Sequence, residues 1–243
     1  MSSKEKRDHD LYGYYVSNKV GYSKEYHFCL NYCHIEDDID YICLLGEKRN
    51  YHKTENTCLG NFVYDYHFDT IDGIYNAIIY KQEELLASIK EFLNQFKYVI
   101  NYDYSTYMSM GKNIIINQIT KSRIVCQWIN EYTNAKCIPV ITFSLKEYDD
   151  ICLEGIVRGS AVAISLESCI QSKDMRDRLT CVIKKVVDSI RPDCIVVYTT
   201  SVKTDIYSMF KYAVDNNIKL IIPSTLMNER NAEILGVNNG KRK

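Results

Sequence analysis

From Tyr41 onward the chain alternates short apolar runs with segments of helical periodicity, and this alternation limits the folds open to it more than any other feature. Seven runs have the length and composition of buried strands: 41–45, 61–66, 98–100, 137–143, 160–166, 194–198 and 219–222. Apolar stripes predict helices over 81–97, 113–130, 174–191 and 204–217. Strands that alternate with helices form a largely parallel sheet of βα units. We predict an α/β fold that closes as a barrel or an incomplete TIM-like barrel, with an open doubly wound sheet as the alternative.

The predicted α/β domain spans residues 41–228. Residues 1–40 are polar and rich in tyrosine without sustained periodicity, which predicts a tail followed by an irregular packed lead-in. Residues 229–243 predict a short helix and a basic tail. A chain of 243 residues can bury roughly 70% of its unfolded surface, so the core requires no disulfide or metal.

Charge and cysteine usage exclude several classes of protein. The chain has 30 Lys and Arg against 31 Asp and Glu, so it has no overall basic field of the kind that drives nucleic-acid binding. No apolar run is long enough to span a membrane, and residues 1–8 lack the apolar core of a secretory signal. Most of the 10 cysteines lie inside apolar runs, which is typical of buried thiols in a reducing compartment. We therefore predict a cytoplasmic protein without a membrane partner.

Polar residues recur directly after the predicted strands, where parallel α/β folds bind their ligands. Asp103 and Ser105 follow the run 98–100, and Asp65 lies at the end of the run 61–66. Polar residues in the same position elsewhere are Ser144, Ser165, Glu167, Thr199, Thr200 and Ser224. A carboxylate at this edge can act as a general base or a metal ligand, although Asp also caps turns and helices. We predict that any site is centred on Asp103, together with Asn117 of the helix that follows, and we keep the capping role of Asp103 as the alternative.

The predicted helix 113–130 places polar side chains among apolar ones at 100° per residue. Asn117, Gln118, Lys121 and Ser122 project among its isoleucines, valine and tryptophan. A buried polar group without a partner costs about 1–3 kcal/mol, so these groups must pair, reach water or line a cavity. Asn117 and Gln118, near the helix start, are best placed to face a pocket. Arg123 falls on the polar arc and is predicted to be solvated.

A compact cluster of His27, Cys29, Cys33 and His34 could either bind a metal ion or contribute its cysteines to the core. Its spacing matches none of the common zinc patterns, which need four ligands in tetrahedral geometry. We therefore predict that Cys29 and Cys33 pack in the core, and we predict no metal site.

A second motif, residues 199–204, joins a predicted strand to a helix and offers hydroxyl groups and Lys203 to an anion. N-capping by Thr204 explains the same residues. The chain has neither a Gly-rich nucleotide loop nor a Gly-x-Ser-x-Gly elbow, and no motif indicates a cofactor.

Several segments agree in order and spacing with one known family between about Asn61 and Tyr198. They include Phe62-Val63-Tyr64-Asp65-Tyr66-His67-Phe68, Asp103-Tyr104-Ser105-Thr106-Tyr107, Asn117-x-x-x-Lys121-Ser122-Arg123, Ile138-Pro139-Val140 and Glu154-Gly155-Ile156-x-x-Gly159-Ser160. As a set they resemble the family called domain of unknown function 4417, seen in phages, plasmids and integrative elements. The resemblance implies a recurrent polar set at Asp65, Asp103, Ser105, Tyr107, Asn117 and Arg123. The chain departs from the family pattern at Tyr102, Thr120, Lys121, Phe143 and Thr199.

The function we predict is that of an accessory protein of a mobile genetic element, with a strand-end pocket for an anionic or nucleotide-like small molecule. If the protein is an enzyme, Asp103 and Asp65 are the catalytic residues. The residues predicted to bind the ligand are Asn117, Ser105, Tyr107 and Arg123.

Two other functions are open at this point. A non-catalytic phage-encoded protein would bind a host factor through an exposed aromatic surface, for which the lead-in offers Tyr12, Tyr14, Tyr15, Tyr22 and Tyr26. Nucleic-acid handling in replication or recombination is the third, and the net charge of −1 disfavours it.

Overall fold

Eight parallel strands form the centre of the part of the chain that the structure describes. The computed structural model describes residues 21–167, 169–202 and 205–236. Its strands are β1 (Tyr41–Leu44), β2 (Thr57–Gly60), β3 (Tyr98–Ile100), β4 (Lys136–Ile138), β5 (Val162–Ser165), β6 (Cys194–Tyr198), β7 (Lys219–Ile221) and β8 (Ser224–Thr225). One sheet has the order β4-β3-β2-β1-β8, the other β5-β6-β7, and all pairs are parallel. The predicted α/β fold with parallel strands is confirmed.

Helices connect most successive strands, as the alternating pattern predicts. They are α1 (Ile74–Ile79), α2 (Glu83–Leu93), α3 (Lys112–Tyr132), α4 (Asp149–Leu153), α5 (Lys173–Ser189), α6 (Ile206–Met209), α7 (Lys211–Asp215) and α8 (Leu226–Leu235). Local signals set their ends. Ser172 accepts a hydrogen bond from the Met175 N–H at the start of α5, and Pro192 follows the end of that helix.

The two sheets share one apolar core. Alternate residues of β1 to β7 meet in a single buried cluster that includes Ile42, Cys58, Ile100, Ile138, Ala163, Val196 and Ile221. The opposite face of the first sheet packs against α1 to α3, and that of the second packs against α5 to α7. Between the sheets, the Ile141 N–H donates to the Ala163 carbonyl at 2.8 Å and the Ala163 N–H donates to the Pro139 carbonyl at 2.9 Å. Burial of apolar surface therefore holds the two sheets as one unit.

Residues 21–40 cross the amino-terminal edge of the strands without forming a helix or a continuous strand. Cys33 and Ile39 enter the shared core. Three consecutive acidic residues, 36–38, form ion pairs with lysines that begin or directly precede three strands: Lys97, Lys136 and Lys219. Exposed ion pairs contribute at most about 1 kcal/mol each, so the apolar contacts carry most of this attachment. The segment covers the amino-terminal edge and leaves the carboxyl edge to the strand-end loops.

One predicted strand is wrong. Residues 61–66 form a loop and the start of a 3-10 turn (Asp65–His67), while the strand of this unit is Thr57–Gly60. The aromatic and β-branched residues 62–64 imitate a strand, but they lie beyond the edge of the sheet. The error moves Asp65 from a strand into a strand-end loop.

The predicted helix 204–217 is two short helices, α6 and α7, separated at Phe210. Thr204, the predicted N-cap, lies outside the described residues. Asp205 is the N-cap of α6, and its side chain accepts a hydrogen bond from the Ser208 N–H at 3.1 Å.

Of the five lead-in tyrosines proposed above as an exposed surface, the two that the structure describes, Tyr22 and Tyr26, pack against the chain itself. Tyr22 contacts the core beside the first sheet, and the Tyr26 ring stacks on Phe28 at 5.5 Å. Tyr12, Tyr14 and Tyr15 lie outside the described residues. Within the described ranges, none of the helices combines the length and the apolar character needed to cross a membrane.

Gly60 tests the close packing between β1 and β2. A Cβ atom at this position would lie 2.6 Å from the Cγ2 atom of Ile42, so we expect Gly60→Ala to destabilise the protein by about 1–3 kcal/mol. The control is Gly111→Ser, since a Cβ atom at Gly111 meets nothing within 4 Å. Urea unfolding measures both variants, and equal stability of the two would contradict the packing.

Candidate functional site

The carboxyl ends of β2 and β3 bring Asp65, Asp103 and Ser105 together. The two strands are parallel neighbours, with Gly60 opposite Ile100, so the loops that follow them leave the sheet side by side. The Asp103 N–H lies 3.5 Å from the Asn61 carbonyl, which continues the pairing past the strands. The strand-end rule thus places these residues correctly, although Asp65 lies on a 3-10 turn.

Asp65 is held by three donors. The Ser105 hydroxyl donates to Asp65 Oδ1 at 2.7 Å, and the Ser105 N–H donates to Oδ2 at 3.2 Å. The Gln118 amide, on α3, donates to Oδ2 at 3.2 Å and lies 3.3 Å from the Ser105 carbonyl. Hydrogen bonds to a charged group contribute about 1.5–3 kcal/mol each, so the carboxylate is fixed in orientation and joins two loops to a helix.

Asp103 contrasts with Asp65, because no donor within the described residues reaches its side chain. The side chain is partly buried. Burial, and secondarily the negative charge of Asp65, raises the pKa of Asp103 from 3.8 to about 7. The group can therefore bind or release a proton near neutral pH.

A second contact fixes the same loop one helical turn further along α3. Lys121 Nζ lies 2.6 Å from Asp69 Oδ2, with both side chains largely buried. The ammonium group also lies over the rings of Tyr75 and Tyr104, at 5.6 and 5.7 Å from their centroids. The positive charge of Lys121 is thus engaged by Asp69 and two aromatic faces.

The loop that carries Asp103 is anchored on its other side to the loop after β4. The Thr106 hydroxyl donates to the Phe143 carbonyl at 3.2 Å, and the Ser144 hydroxyl donates to the Tyr107 carbonyl at 2.9 Å. Arg178, on α5, donates to the Ser144 carbonyl at 2.9 Å and pairs with Asp149. The backbone of Tyr107 is therefore held, while its side chain is 58% exposed.

Asn117 does not point into the molecule, so the prediction that it faces the core is wrong. Its side chain is exposed, while its neighbour Gln118 is buried and contacts Asp65. The buried arc of α3 is centred on Ile115, Ile119 and Ser122, not on the exposed Ile114. Gln118 was correctly predicted to point inward. Its contact with Asp65 could not be predicted, because the sequence does not show which loop packs against this part of α3.

Arg123 is fully buried, so the prediction that it is solvated is also wrong. Its guanidinium donates to the Cys152 carbonyl at 2.7 Å and to the Glu154 carbonyl at 3.0 Å. Burial lowers the pKa of Arg123 to about 10. These partners lie at and after the end of α4, apart from the loops that carry Asp65 and Asp103. Arg123 is therefore a buried cation that binds carbonyl groups at the end of α4.

The His27, Cys29, Cys33 and His34 cluster does not converge. Cys29 and Cys33 are buried in the core, as predicted, whereas both histidines are exposed and His34 Nδ1 lies 2.6 Å from Asp193 Oδ2. Within the described ranges, no three His, Cys, Asp or Glu side chains are grouped as metal ligands. All ten cysteines are free thiols, and only Cys181 is exposed.

The loop after β6 uses one of its main-chain donors internally. The Thr200 N–H donates to Glu167 Oε1 at 3.1 Å. The carboxylate of the protein itself therefore occupies this donor, which the sequence had suggested for an anionic ligand. Lys203 and Thr204 lie outside the described residues.

Two open surface depressions lie away from the carboxylate pair. One, of about 250 Å³, is bounded by Ser201, Val202, Asn231, Ile234 and Leu235. The other, of about 460 Å³, is bounded by Asp72 and residues 82–85. Neither is lined by Asp65 or Asp103. The chemistry of Asp65 and Asp103, rather than concavity, therefore identifies the candidate site.

The model of a protein family described as Domain of unknown function (DUF4417) matches residues 39–216, well over half of the chain and all of the candidate site. Neither a curated protein nor a solved structure matches the chain.

Asp103 should make stability depend on pH. Because folding raises the pKa of Asp103, the unfolded chain ionises before the folded one, and stability falls as pH rises from about 4 to 7. Asp103→Asn removes this loss. We expect the free energy of unfolding of this variant to exceed that of the parent by about 1–3 kcal/mol at pH 8 and to differ little from it at pH 4. Each kcal/mol corresponds to roughly 2–4 °C in Tm. Thermal melts at both pH values measure it, with the exposed Asp72→Asn as control. An equal effect of Asp103→Asn at the two pH values would contradict the burial of its charge.

Arg123 should prove structural. Arg123→Met leaves the carbonyls of Cys152 and Glu154 without their donors, so we expect a loss of about 3 kcal/mol in the free energy of unfolding. Arg158→Met is the matched control, since Arg158 also contacts carbonyls at a helix end but is exposed. If the Arg123 variant unfolds at the same urea concentration as the parent, the buried arginine has another role.

Proposed function

The chain belongs to the DUF4417 family, and we propose that it is a small-molecule-binding protein that uses Asp103 and Asp65 for acid–base chemistry at the carboxyl ends of β2 and β3. One observation carries the proposal. Two neighbouring carboxylates have opposite environments: Asp65 accepts from three donors, while Asp103 has no donor within the described residues and a pKa of about 7. Titratable pairs with divergent environments are characteristic of acid–base sites.

The architecture that we propose for this site is a barrel or incomplete barrel. Within each sheet neighbouring strands follow one another in the chain, apart from β8, which pairs with β1 and so joins the end of the chain to its beginning. The shared core and the hydrogen bonds between Pro139–Ile141 and Ala163 support contact between β4 and β5. In such an architecture the carboxyl ends of the strands form the functional face.

The charges at the site favour a ligand that presents hydrogen-bond donors. Ion pairs neutralise neither Asp65 nor Asp103 within the described residues, and Lys121 is already engaged by Asp69. Two carboxylates repel a phosphate placed between them and accept hydrogen bonds from hydroxyl or amino groups. A nucleotide-like ligand would thus direct its sugar or base, not its phosphate, towards the carboxylates.

The different contacts of Asp65 and Asp103 support different roles for the two carboxyl groups. Asp65 is fixed by Ser105 and Gln118 and orients the ligand through its remaining acceptor capacity. Asp103, which holds its proton loosely near pH 7, donates it to or withdraws it from the reacting group. Asn117, exposed on α3, and Arg123, buried beside α4, form no hydrogen bond with Asp65 or Asp103 within the described residues, so the proposal does not rest on them.

The biological setting that we propose is a mobile genetic element in a host with AT-rich DNA. The composition supports it, with 21 tyrosines, many isoleucines, asparagines and lysines, and only 3 prolines. This setting is independent of the chemistry at the site.

A thermal-shift screen of purified protein against nucleosides, nucleotides, sugars and divalent metals tests the proposed function. A ligand at 100 times its Kd stabilises the folded state by about 2.7 kcal/mol, which is several degrees in Tm. We expect at least one ligand to raise the Tm of the parent and to have no effect on Asp103→Asn, which is itself expected to fold.

The matched control is Asp72→Asn, which should respond to the ligand like the parent because Asp72 is exposed and lies apart from the carboxylate pair. A ligand that stabilises Asp103→Asn as much as the parent would place its binding site elsewhere. If no compound of the screen stabilises the parent, the small-molecule function is refuted for these ligand classes.

A further inference from the structure

Exposed aromatic side chains border the carboxylate pair on two adjacent loops. Tyr64 and Tyr66, on either side of Asp65, are 71% and 67% exposed, and Tyr107, two residues after Ser105, is 58% exposed. Asp65 and Ser105 are themselves joined by hydrogen bonds. The rings therefore lie on the same two loops as the carboxyl groups, and these loops form a patch at the carboxyl edge of the strands.

The rings of Tyr64 and Tyr66 are stacked on each other. Their centroids are 5.5 Å apart and their planes differ by 11°. Tyr66 also contacts His67, at 4.2 Å between centroids. Within the described residues Tyr64 contacts no ring except Tyr66, so Tyr64 is the free end of a column of rings.

We propose that the outer face of Tyr64 is a stacking surface for the base of a nucleoside whose hydroxyl or amino groups bind the carboxylates of Asp65 and Asp103. This inference rests on the proposed function and names its ligand class. An exposed aromatic face gains stacking energy from a heteroaromatic ring with little dependence on which base is present. The neighbouring carboxylates add acceptors that a nucleoside can fill and a purely apolar ring cannot.

The charge of the patch distinguishes a nucleoside from its phosphorylated forms. Asp103 becomes negative as the pH rises through its pKa of about 7, beside the carboxylate of Asp65, and ion pairs to Lys or Arg compensate neither group within the described residues. A phosphate group therefore gains nothing from the site and points to solvent. We expect a nucleoside to bind at least as tightly as its 5′-monophosphate.

Isothermal titration with adenosine, guanosine, cytidine and uridine tests the proposal, with ribose and each 5′-monophosphate as comparisons. We expect at least one nucleoside to bind the parent and Tyr64→Ala to weaken that binding about tenfold or more. Tyr64→Phe keeps the ring and should bind like the parent. Tyr80→Ala removes a tyrosine of equal exposure, 72%, from another loop and should have no effect.

Two different failures are separable. If nucleosides bind Tyr64→Ala as they bind the parent, or if ribose binds as tightly as the nucleosides, while Asp103→Asn still abolishes binding, the stacking surface is refuted and the proposed function stands. If neither the titrations nor the wider screen finds a ligand that depends on Asp103, the proposed function fails and this inference fails with it. Because Tyr64 is exposed, we expect Tyr64→Ala to fold like the parent, so weaker binding by this variant would report the loss of the ring.

Discussion

The carboxylate of Asp65 is the point at which the two strand-end loops and the long helix meet. Ser105 contributes a hydroxyl and a main-chain N–H, and Gln118 contributes an amide, so segments that lie 40 and 53 residues away in sequence converge on two oxygen atoms. Donors to a charged acceptor form the stronger class of protein hydrogen bond. Without them the ion pair of Asp69 with Lys121 would be the remaining polar contact between the loop after β2 and α3 within the described residues. The geometry of the candidate site therefore depends on this one carboxylate.

Asp103 and Arg123 show two ways in which this fold treats a buried charge. Arg123 donates to two carbonyl groups at the end of a helix, where a cation is favoured, so its burial contributes to structure. Asp103 lies beside a second carboxylate and lacks donors within the described residues, so its ionisation lowers the stability of the folded protein. A stable fold gains nothing from such a group. Local violations of this kind concentrate at functional sites, which is why the proposed function is built on Asp103 rather than on Arg123.

Sequence periodicity predicted the parallel α/β fold because each strand and helix carries its own pattern. The ends of β3 and β6 agree with the sequence, and from the strand-end rule Asp103 and Ser105 followed directly. The pattern failed where neighbours decide the outcome. Residues 62–64 have strand-like side chains but no partner strand, and the orientation of α3 depends on what packs on its flank. Phe28 and Cys152 cover that flank beside Ile115 and Ile119, which buries Arg123 there. The helical periodicity of the sequence contains no information about these neighbours. It therefore predicted that Asn117 points inward and Arg123 is solvated, whereas the structure shows the reverse.

The two edges of the strands differ in what they leave accessible. At the amino-terminal edge, residues 33–39 fill the core and pair their acidic groups with strand-end lysines. At the carboxyl edge the backbone is fixed, through Asp65 in one loop and through the Tyr107 carbonyl in the next, while the tyrosine rings stay exposed. A surface whose backbone is already ordered loses little conformational entropy when a ligand binds, because only exposed side chains remain to be fixed. Under the proposed function, the anchored loops therefore lower the entropic cost of binding a small ring at this edge.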